Sequence, residues 1–177
     1  MDMYIVHQIK RKEHTKEVAK IWPSSFSVMQ DHLAGIVKRR WETTTRVENC
    51  LFGDIEHVFG WFLESPNGKI VALCTVRKFW RGSEFEIAYI YVRPKYRRKG
   101  IGQSLVEFVC AECLRKYNLV EATILVEALS EHGDPKDQER IEQFWCDMDF
   151  ESLELPKRSK GTPYQKNIES LAEYYSN

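Results

Sequence analysis

Two hydrophobic periodicities divide the chain between them. Alternation at every second residue marks a strand with one buried face, and recurrence at every third or fourth marks a helix. Alternation predicts strands over Tyr4–Ile9, His57–Glu64, Lys69–Trp80 and Glu84–Val92. In the second of these, Phe59, Trp61 and Leu63 point one way. The turn-forming strings Pro66-Asn67-Gly68 and Arg81-Gly82-Ser83 join the last three strands into an antiparallel series. Helical spacing covers Glu13–Ile21, which Pro23 stops, and then Ser24–Trp41, where Phe26, Met29, Leu33, Ile36 and Val37 share a face. Thr43–Asp54 is polar and aperiodic and reads as a loop.

Past Val92, Pro94 ends sheet pairing. Ile101–Tyr117 is helical, with Leu105, Phe108, Val109, Cys113 and Leu114 on one face. The apolar run Val120–Leu129 reads as a buried strand, parallel to its predecessor because a helix crosses between them. Gln138–Met148 is a short helix, and Phe150–Leu155 with Tyr164–Ile168 forms a last hairpin around the Lys157–Thr162 loop. No repeat, linker or low-complexity string interrupts this order, so one domain over residues 1–177 is expected.

Composition narrows the function classes. A chain of 177 residues suits one domain with a substantial core. Lys and Arg number 26 and Asp and Glu 26, which removes any global pull toward nucleic acid or membrane. No run reaches transmembrane length, and Met1–Val6 lacks the basic flank and apolar stretch of a signal peptide. Five cysteines (Cys50, Cys74, Cys110, Cys113 and Cys146), odd in number and irregular in spacing, point to reduced thiols in a cytoplasmic protein. Cys110 and Cys113 fall mid-helix with no second pair at ligand spacing, so they read as packing. His7, His14, His32, His57 and His132 are scattered, and no metal site is expected.

One segment carries chemistry. Between the strand ending at Val92 and the helix opening near Ile101 lies Arg97-Arg98-Lys99-Gly100-Ile101-Gly102. A basic, glycine-punctuated turn from a strand into a helix start is an anion cradle: backbone N–H groups converge and the helix dipole adds positive charge. Arg93, Lys95, Arg97, Arg98 and Lys99 place five cations in seven residues. The P-loop string G-x-x-x-x-G-K-[ST] is absent. The dinucleotide fingerprint is half present, with Leu105 where its third glycine belongs and Glu121 at a tolerable ribose spacing.

The pattern [Q/R]-x-x-G-x-[G/A] is met in full by Arg97, Gly100 and Gly102. With the strand Glu86–Val92 before it and Leu105 after it, the segment resembles the acyl-CoA pyrophosphate loop of the GNAT superfamily of N-acetyltransferases. The order of elements is similar to that fold over about residues 3–170. The resemblance implies an α/β (α+β) domain: a mixed, mostly antiparallel sheet of about seven strands, helices on both faces, splayed between the fourth and fifth strands. It implies acetyl-CoA as cosubstrate, with pantetheine pairing to backbone groups of Ile90 and Val92. The pyrophosphate would be held by Arg98, Lys99, Gly100, Ile101 and Gly102, with Arg97 at the loop entrance.

Amide formation needs a neutral amine, a stabilised oxyanion and a proton for the leaving thiolate. Glu86 matches the acidic position on the fourth strand that serves as base in some family members, with Glu84 the runner-up; a sheet-surface glutamate explains Glu86 equally well. The common family segment Asn-x-x-Ala-x-x-Phe-Tyr-x-x-x-Gly-Phe corresponds here to Gln138–Phe150. Gln138 replaces the asparagine and belongs with the cofactor-binding set, Trp145 replaces the tyrosine, and Asp149 replaces the glycine. An indole N–H cannot usefully give up a proton. That leaves Tyr89, Tyr91, Tyr164 or water as the acid, or a site without catalysis; Cys146 reads as packing rather than an acyl carrier.

Ten carboxylates between Glu127 and Glu154, against Lys136 and Arg140, suggest an acidic rim for a cationic amine acceptor, and a solvated helix face explains the same charges. Basic residues of the first two helices, interleaved with Trp22 and Trp41, are diluted by acidic neighbours, so nucleic acid is not the expected partner. The expected activity is therefore acetyl transfer to a primary amine in a ternary complex. The alternative is a non-catalytic CoA-binding or protein-interaction module of the same fold. A homodimer is compatible with the family.

Overall fold

The strand periodicity is realised in a seven-stranded mixed sheet, seen in a computed structural model that describes residues 4–10, 14, 17–18, 20–21, 55–80, 82–129, 134–154 and 161–170. In chain order the elements are β1 (Ile5–Gln8), β2 (Ile55–Glu64), β3 (Ile70–Phe79), β4 (Glu84–Val92), α1 (Ile101–Tyr117), β5 (Glu121–Ala128), α2 (Pro135–Cys146), β6 (Glu151–Ser152) and β7 (Thr162–Glu169). They lie in the order β1-β2-β3-β4-β5-β7-β6. Every pair is antiparallel except β4 with β5, which run parallel as the helical crossover through α1 requires. The helix expected over Ser24–Trp41 and the loop over Thr43–Asp54 lie outside the described residues.

Two cores sandwich the sheet. On one face α1 buries Leu105, Val106, Val109 and Cys113 against Phe59, Trp61, Val76, Phe85 and Ile87, and the same cluster takes in Trp145 and Phe150 from the α2 end. Trp145 is 2 % exposed and Phe85 0 %; side chains of this kind each contribute about 1.5–3 kcal/mol on burial. On the other face Val18, which is helical, and Ile21 are buried with Ile9, Phe62 and Leu73.

α2 begins at Pro135, earlier than its apolar spacing suggests. The Asp134 carboxylate accepts the Lys136 N–H at 2.9 Å and Pro135 takes the first helical position, a start signal set by capping rather than hydrophobicity.

β4 departs from regular alternation. Seven residues of β3, Ala72–Lys78, face eight of β4, Phe85–Val92, and the register slips between Thr75 (opposite Tyr89) and Val76 (opposite Ile87). Ala88 is the extra residue of a β-bulge. As a result Phe85 and Ile87 before it, and Ile90 and Val92 after it, all face α1, whereas Tyr89 and Tyr91 pack on the opposite side.

Candidate functional site

The bulge coincides with a break in the sheet. β5 pairs with β4 only from Glu84 (opposite Thr123) to Ile87 (opposite Val126), and then continues to Ala128 in register with β7 alone. Beyond Ile87 the two parallel strands part, so the splay expected between the fourth and fifth strands is present. Antiparallel ladders send alternate residues' N–H and C=O groups to opposite sides. Arg93 N–H donates to the Val71 carbonyl at 2.9 Å, which places Arg93, and by alternation Tyr91, in bonding positions toward β3. The backbone groups of Ile90 and Val92 therefore point into the opening. The Val92 carbonyl accepts from Arg97 Nε at 2.8 Å, and the Arg97 guanidinium lies 5.6 Å from the Tyr91 ring centre.

The basic turn sits at the mouth of this opening. After a single 3₁₀ turn at Pro94–Tyr96, Arg98 (φ 60°) and Gly100 (φ 74°) adopt left-handed conformations on either side of Lys99. Such alternation turns successive N–H groups toward one concavity, an anion-binding nest. Gly100 caps α1 without a side chain, and Ser104 N–H makes the first helical bond, to the Gly100 carbonyl at 2.9 Å. The amides of Ile101, Gly102 and Gln103 thus lack intrahelical acceptors by geometry, and no carboxylate stands in the first turn to offset the dipole. Ile101 is buried and contributes backbone only. Lys95 and Lys99 place their ammonium groups 5.0 and 5.8 Å from the Tyr96 ring centre.

α2 spans the opening on the α1 side. Gln138 Nε2 donates to the Ala128 carbonyl at the end of β5 (2.8 Å) and to Glu142 Oε1 (2.7 Å). Two turns on, the Phe144 ring lies where a Cβ on Gly102 would meet it at 3.5 Å, with Val92 at 3.7 Å. One helix therefore touches β5 at one end and the β4–α1 junction at the other. Glu142 also accepts from Thr162 Oγ1 at 2.6 Å; these two donors, Thr162 ahead of Gln138, hold its carboxyl below the usual range.

Trp145 is fully engaged in the core, edge-on to Phe144 and Phe150 with ring centres 5.0 and 4.9 Å apart. Asp149, in the glycine position of the family segment, keeps a left-handed φ of 61°; aspartate is among the few side chains that tolerate it. Of the three tyrosines considered as acids, Tyr89 and Tyr91 lie on the face away from α1, and Tyr164 lies beneath α2. Burial first, then Glu142 and Cys146, push the Tyr164 hydroxyl up to about 12. Burial likewise pushes the Cys110 thiol up to about 12 and raises Cys74 and Cys113. These thiols read as packing.

Glu86 is buried on the face that carries Tyr89 and Tyr91. Its carboxylate meets Arg77 of β3, whose Nη1 lies 3.0 Å from Oε2 and 3.3 Å from Oε1. The acidic stretch from Glu127 to Glu154 is largely occupied by local bonds. Glu127 accepts Gly161 N–H, Asp134 caps α2, Asp137 pairs with Arg140, Asp147 accepts from Gln143, and Asp149 lies near Lys166. A groove of about 740 Å³ lies elsewhere, between α1 and β7, where Cys110, Leu114, Met148 and Ile168 line it.

Four features of the region were not anticipated: the Ala88 bulge, Arg77, Phe144 and Gly161. Arg77 had a signal, one of two adjacent cations, Arg77 and Lys78, in a largely apolar strand one hairpin away from Glu86. Gly161 had none, because its role is set by Ala128 across the sheet: a Cβ there would stand 2.4 Å from the Ala128 carbonyl oxygen.

Residues 16–135 match the sequence model of the acetyltransferase (GNAT) family. No curated protein matches the chain. Among solved structures, it is similar to an acetyltransferase of the GNAT family from Staphylococcus aureus Mu50 (14 % identity, TM-score 0.58, covering 93 % of this chain and 100 % of that one). It is also similar to the ribosomal-protein-S18-alanine N-acetyltransferase from Escherichia coli (13 %, 0.55, 94 % of each) and to Ard1 from Thermoplasma volcanium (14 %, 0.56, 95 % and 98 %). At these identities the structures speak for the fold alone.

Proposed function

Because the chain belongs to the GNAT acetyltransferase family, we propose that it transfers an acetyl group from acetyl-CoA to a primary amine by direct attack within a ternary complex. The observation that carries the reading is the coincidence of three features: strands that part after Ile87, Ile90 and Val92 backbone groups aimed into the gap, and the left-handed basic turn at its mouth. The amides from Arg98 to Gly102, with the Arg97, Arg98 and Lys99 side chains, would hold the pyrophosphate; hydrogen bonds to such a charge contribute about 1.5–3 kcal/mol each. Ile90 and Val92 would pair with the pantetheine amides as an added strand does, and Gln138 would set the β5 side of the slot. When bound, the cosubstrate supplies the activated thioester.

Glu86 is the base in this proposal, receiving the acceptor amine's proton directly or through water. Its burial and its Arg77 partner give it a fixed orientation. Trp145 faces the core, so the leaving thiolate takes its proton from water or from Tyr89 or Tyr91, which share the face of Glu86. The acceptor is a cationic amine at neutral pH, and the buried thiols suit a cytoplasmic setting. Calorimetric titration with acetyl-CoA and CoA tests the cofactor site. Micromolar binding that disappears in the Gly100→Glu, Gly102→Glu variant is expected, and absence of binding by the folded parent would sink the proposal. Release of free thiol in the presence of an amine library then tests transfer.

A second reading follows from Trp145 alone: a GNAT-fold protein that binds CoA without catalysis. Tight CoA binding with no thiol release for any amine would favour it.

A further inference from the structure

The ion pair between Arg77 and Glu86 is largely buried within the sheet, two residues along β3 from the buried Thr75. The two residues are register partners on β3 and β4, and their side chains are 18 % and 8 % exposed. On the same face lie Phe62, Leu73, Tyr89 and Tyr91. A buried ion pair seldom adds stability over apolar residues of similar volume, because desolvation offsets the attraction. Cross-strand apolar pairs would serve a plain sheet as well.

Its location is specific. Glu86 directly precedes Ile87, the last β4 residue paired with β5, and lies two residues before the bulged Ala88. Along β4, Glu86 is thus at the inner end of the opening, while the basic turn is at its outer end. One guanidinium nitrogen touches both carboxylate oxygens. A charge-assisted contact shared by both oxygens restrains where the carboxylate group sits.

We propose that Arg77 is a positioning residue for acyl transfer, holding the Glu86 carboxylate in the orientation at which it receives the proton of the acceptor amine or of an intervening water. The inference rests on the acyltransferase reading above. It assigns to β3 a part in the site, although that strand contributes neither to the turn nor to the slot.

A purely structural pair makes a different demand. Two opposite charges across a ladder attract either way round, so the exchanged pair reports the structural share of the contact in Tm, while Arg77→Met, which keeps Glu86, reports the positioning share in kcat. The experiment compares the parent, Arg77→Met, Arg77→Lys and the exchanged pair Arg77→Glu, Glu86→Arg, each measured for Tm, CoA affinity by calorimetry, and kcat and KM by thiol release.

In Arg77→Met, kcat is expected to fall on the order of 10²-fold, within the range of general-base contributions, with CoA affinity within about twofold of the parent. Arg77→Lys restores part of kcat. The exchanged pair recovers Tm relative to a Glu86→Arg single variant and does not recover kcat. Parent-like kcat in Arg77→Met or in the exchanged pair would overturn the inference while leaving the acyltransferase reading intact. A parent that binds CoA but releases no thiol with any amine would overturn both. Should the exchanged pair fail to fold, the Met and Lys variants decide the question on kcat against CoA affinity.

Discussion

The two halves of β4 have the same neighbours in sequence order and different fates. From Phe85 to Ile87 the strand is paired on both edges, with β3 and with β5, and these residues are buried. From Ala88 to Val92 it keeps β3, loses β5, and becomes half-exposed throughout. The lower half, which carries Glu84 and Glu86, is a central strand, and the uncharged upper half is an edge strand. An edge of this kind is normally a liability. Here it is walled by α2 on one face and capped by Arg97 at Val92, so it is open to an extended ligand and closed to another sheet. The opening in this sheet arises from the end of one strand pairing rather than from an added loop.

The sharpest way to break the comparison is to remove the charged group at the base of the lower half. Glu86→Gln is expected to lower kcat by about 10²–10⁴-fold with CoA affinity unchanged, read by thiol release beside calorimetry. The amide oxygen still accepts from Arg77, so a large fall in Tm without a fall in kcat would remove Glu86 from the chemistry. Next in size is Gly161→Ala. Its Cβ would meet backbone at 2.4 Å, not a side chain that can swing away. A loss of about 1–3 kcal/mol is expected, read by denaturant unfolding, and it should weaken CoA binding by moving the end of β5. Gln138→Ala removes the bond from α2 to the Ala128 carbonyl and is expected to cost about 0.5–1.5 kcal/mol. Its effect should fall on CoA affinity more than on kcat if the upper half is the binding half.

The smallest effect is a pH dependence that pairs α2 with β7. The Glu142 carboxyl is lowered in the fold by Thr162 and Gln138, so its contribution is complete above the ordinary carboxylate value and is lost as pH falls through the folded value. The Tyr164 hydroxyl is raised from 10.0 to about 12, so the fold binds more protons than the unfolded chain between those values and loses stability as pH rises through them. Glu142→Gln should flatten the acid side of a Tm-against-pH curve and Tyr164→Phe the alkaline side. Unchanged curves would discount both contacts.

Much of the frame was legible because it depends on local pattern. Alternation in Phe59, Trp61 and Leu63, the Pro66-Asn67-Gly68 turn, and the helical face of Leu105, Val109 and Cys113 are short-range signals, and each appears where the pattern put it. The glycine-punctuated turn between β4 and α1 was legible for the same reason. What escaped is set by distant partners. Capping by Asp134 moved the start of α2 to Pro135. The final hairpin's first strand shrank to Glu151–Ser152. Trp145 turned into the core, and several carboxylates of the acidic run have local partners, Gly161 for Glu127 and Arg140 for Asp137. Charge counts in a sequence do not say who already holds the charge.

Ala88 deserves a last reading in terms of length. β4 is one residue too long for β3, and that surplus falls at the point where β5 lets go. Take the surplus away and the inward and outward order of Ile87, Tyr89, Ile90, Tyr91 and Val92 becomes a plain alternation, with the same side chains facing the same cores. The strand can then pair onward along β5, against the hold of Gln138 on Ala128 and of Arg97 on Val92. Deleting Ala88 is thus expected to give a folded, better-paired sheet that no longer binds CoA, a form in which hydrogen exchange at Ile90 and Val92 slows. The aperture of this protein is, on that count, a miscount of one: a spacer whose value lies in what it prevents its neighbours from doing.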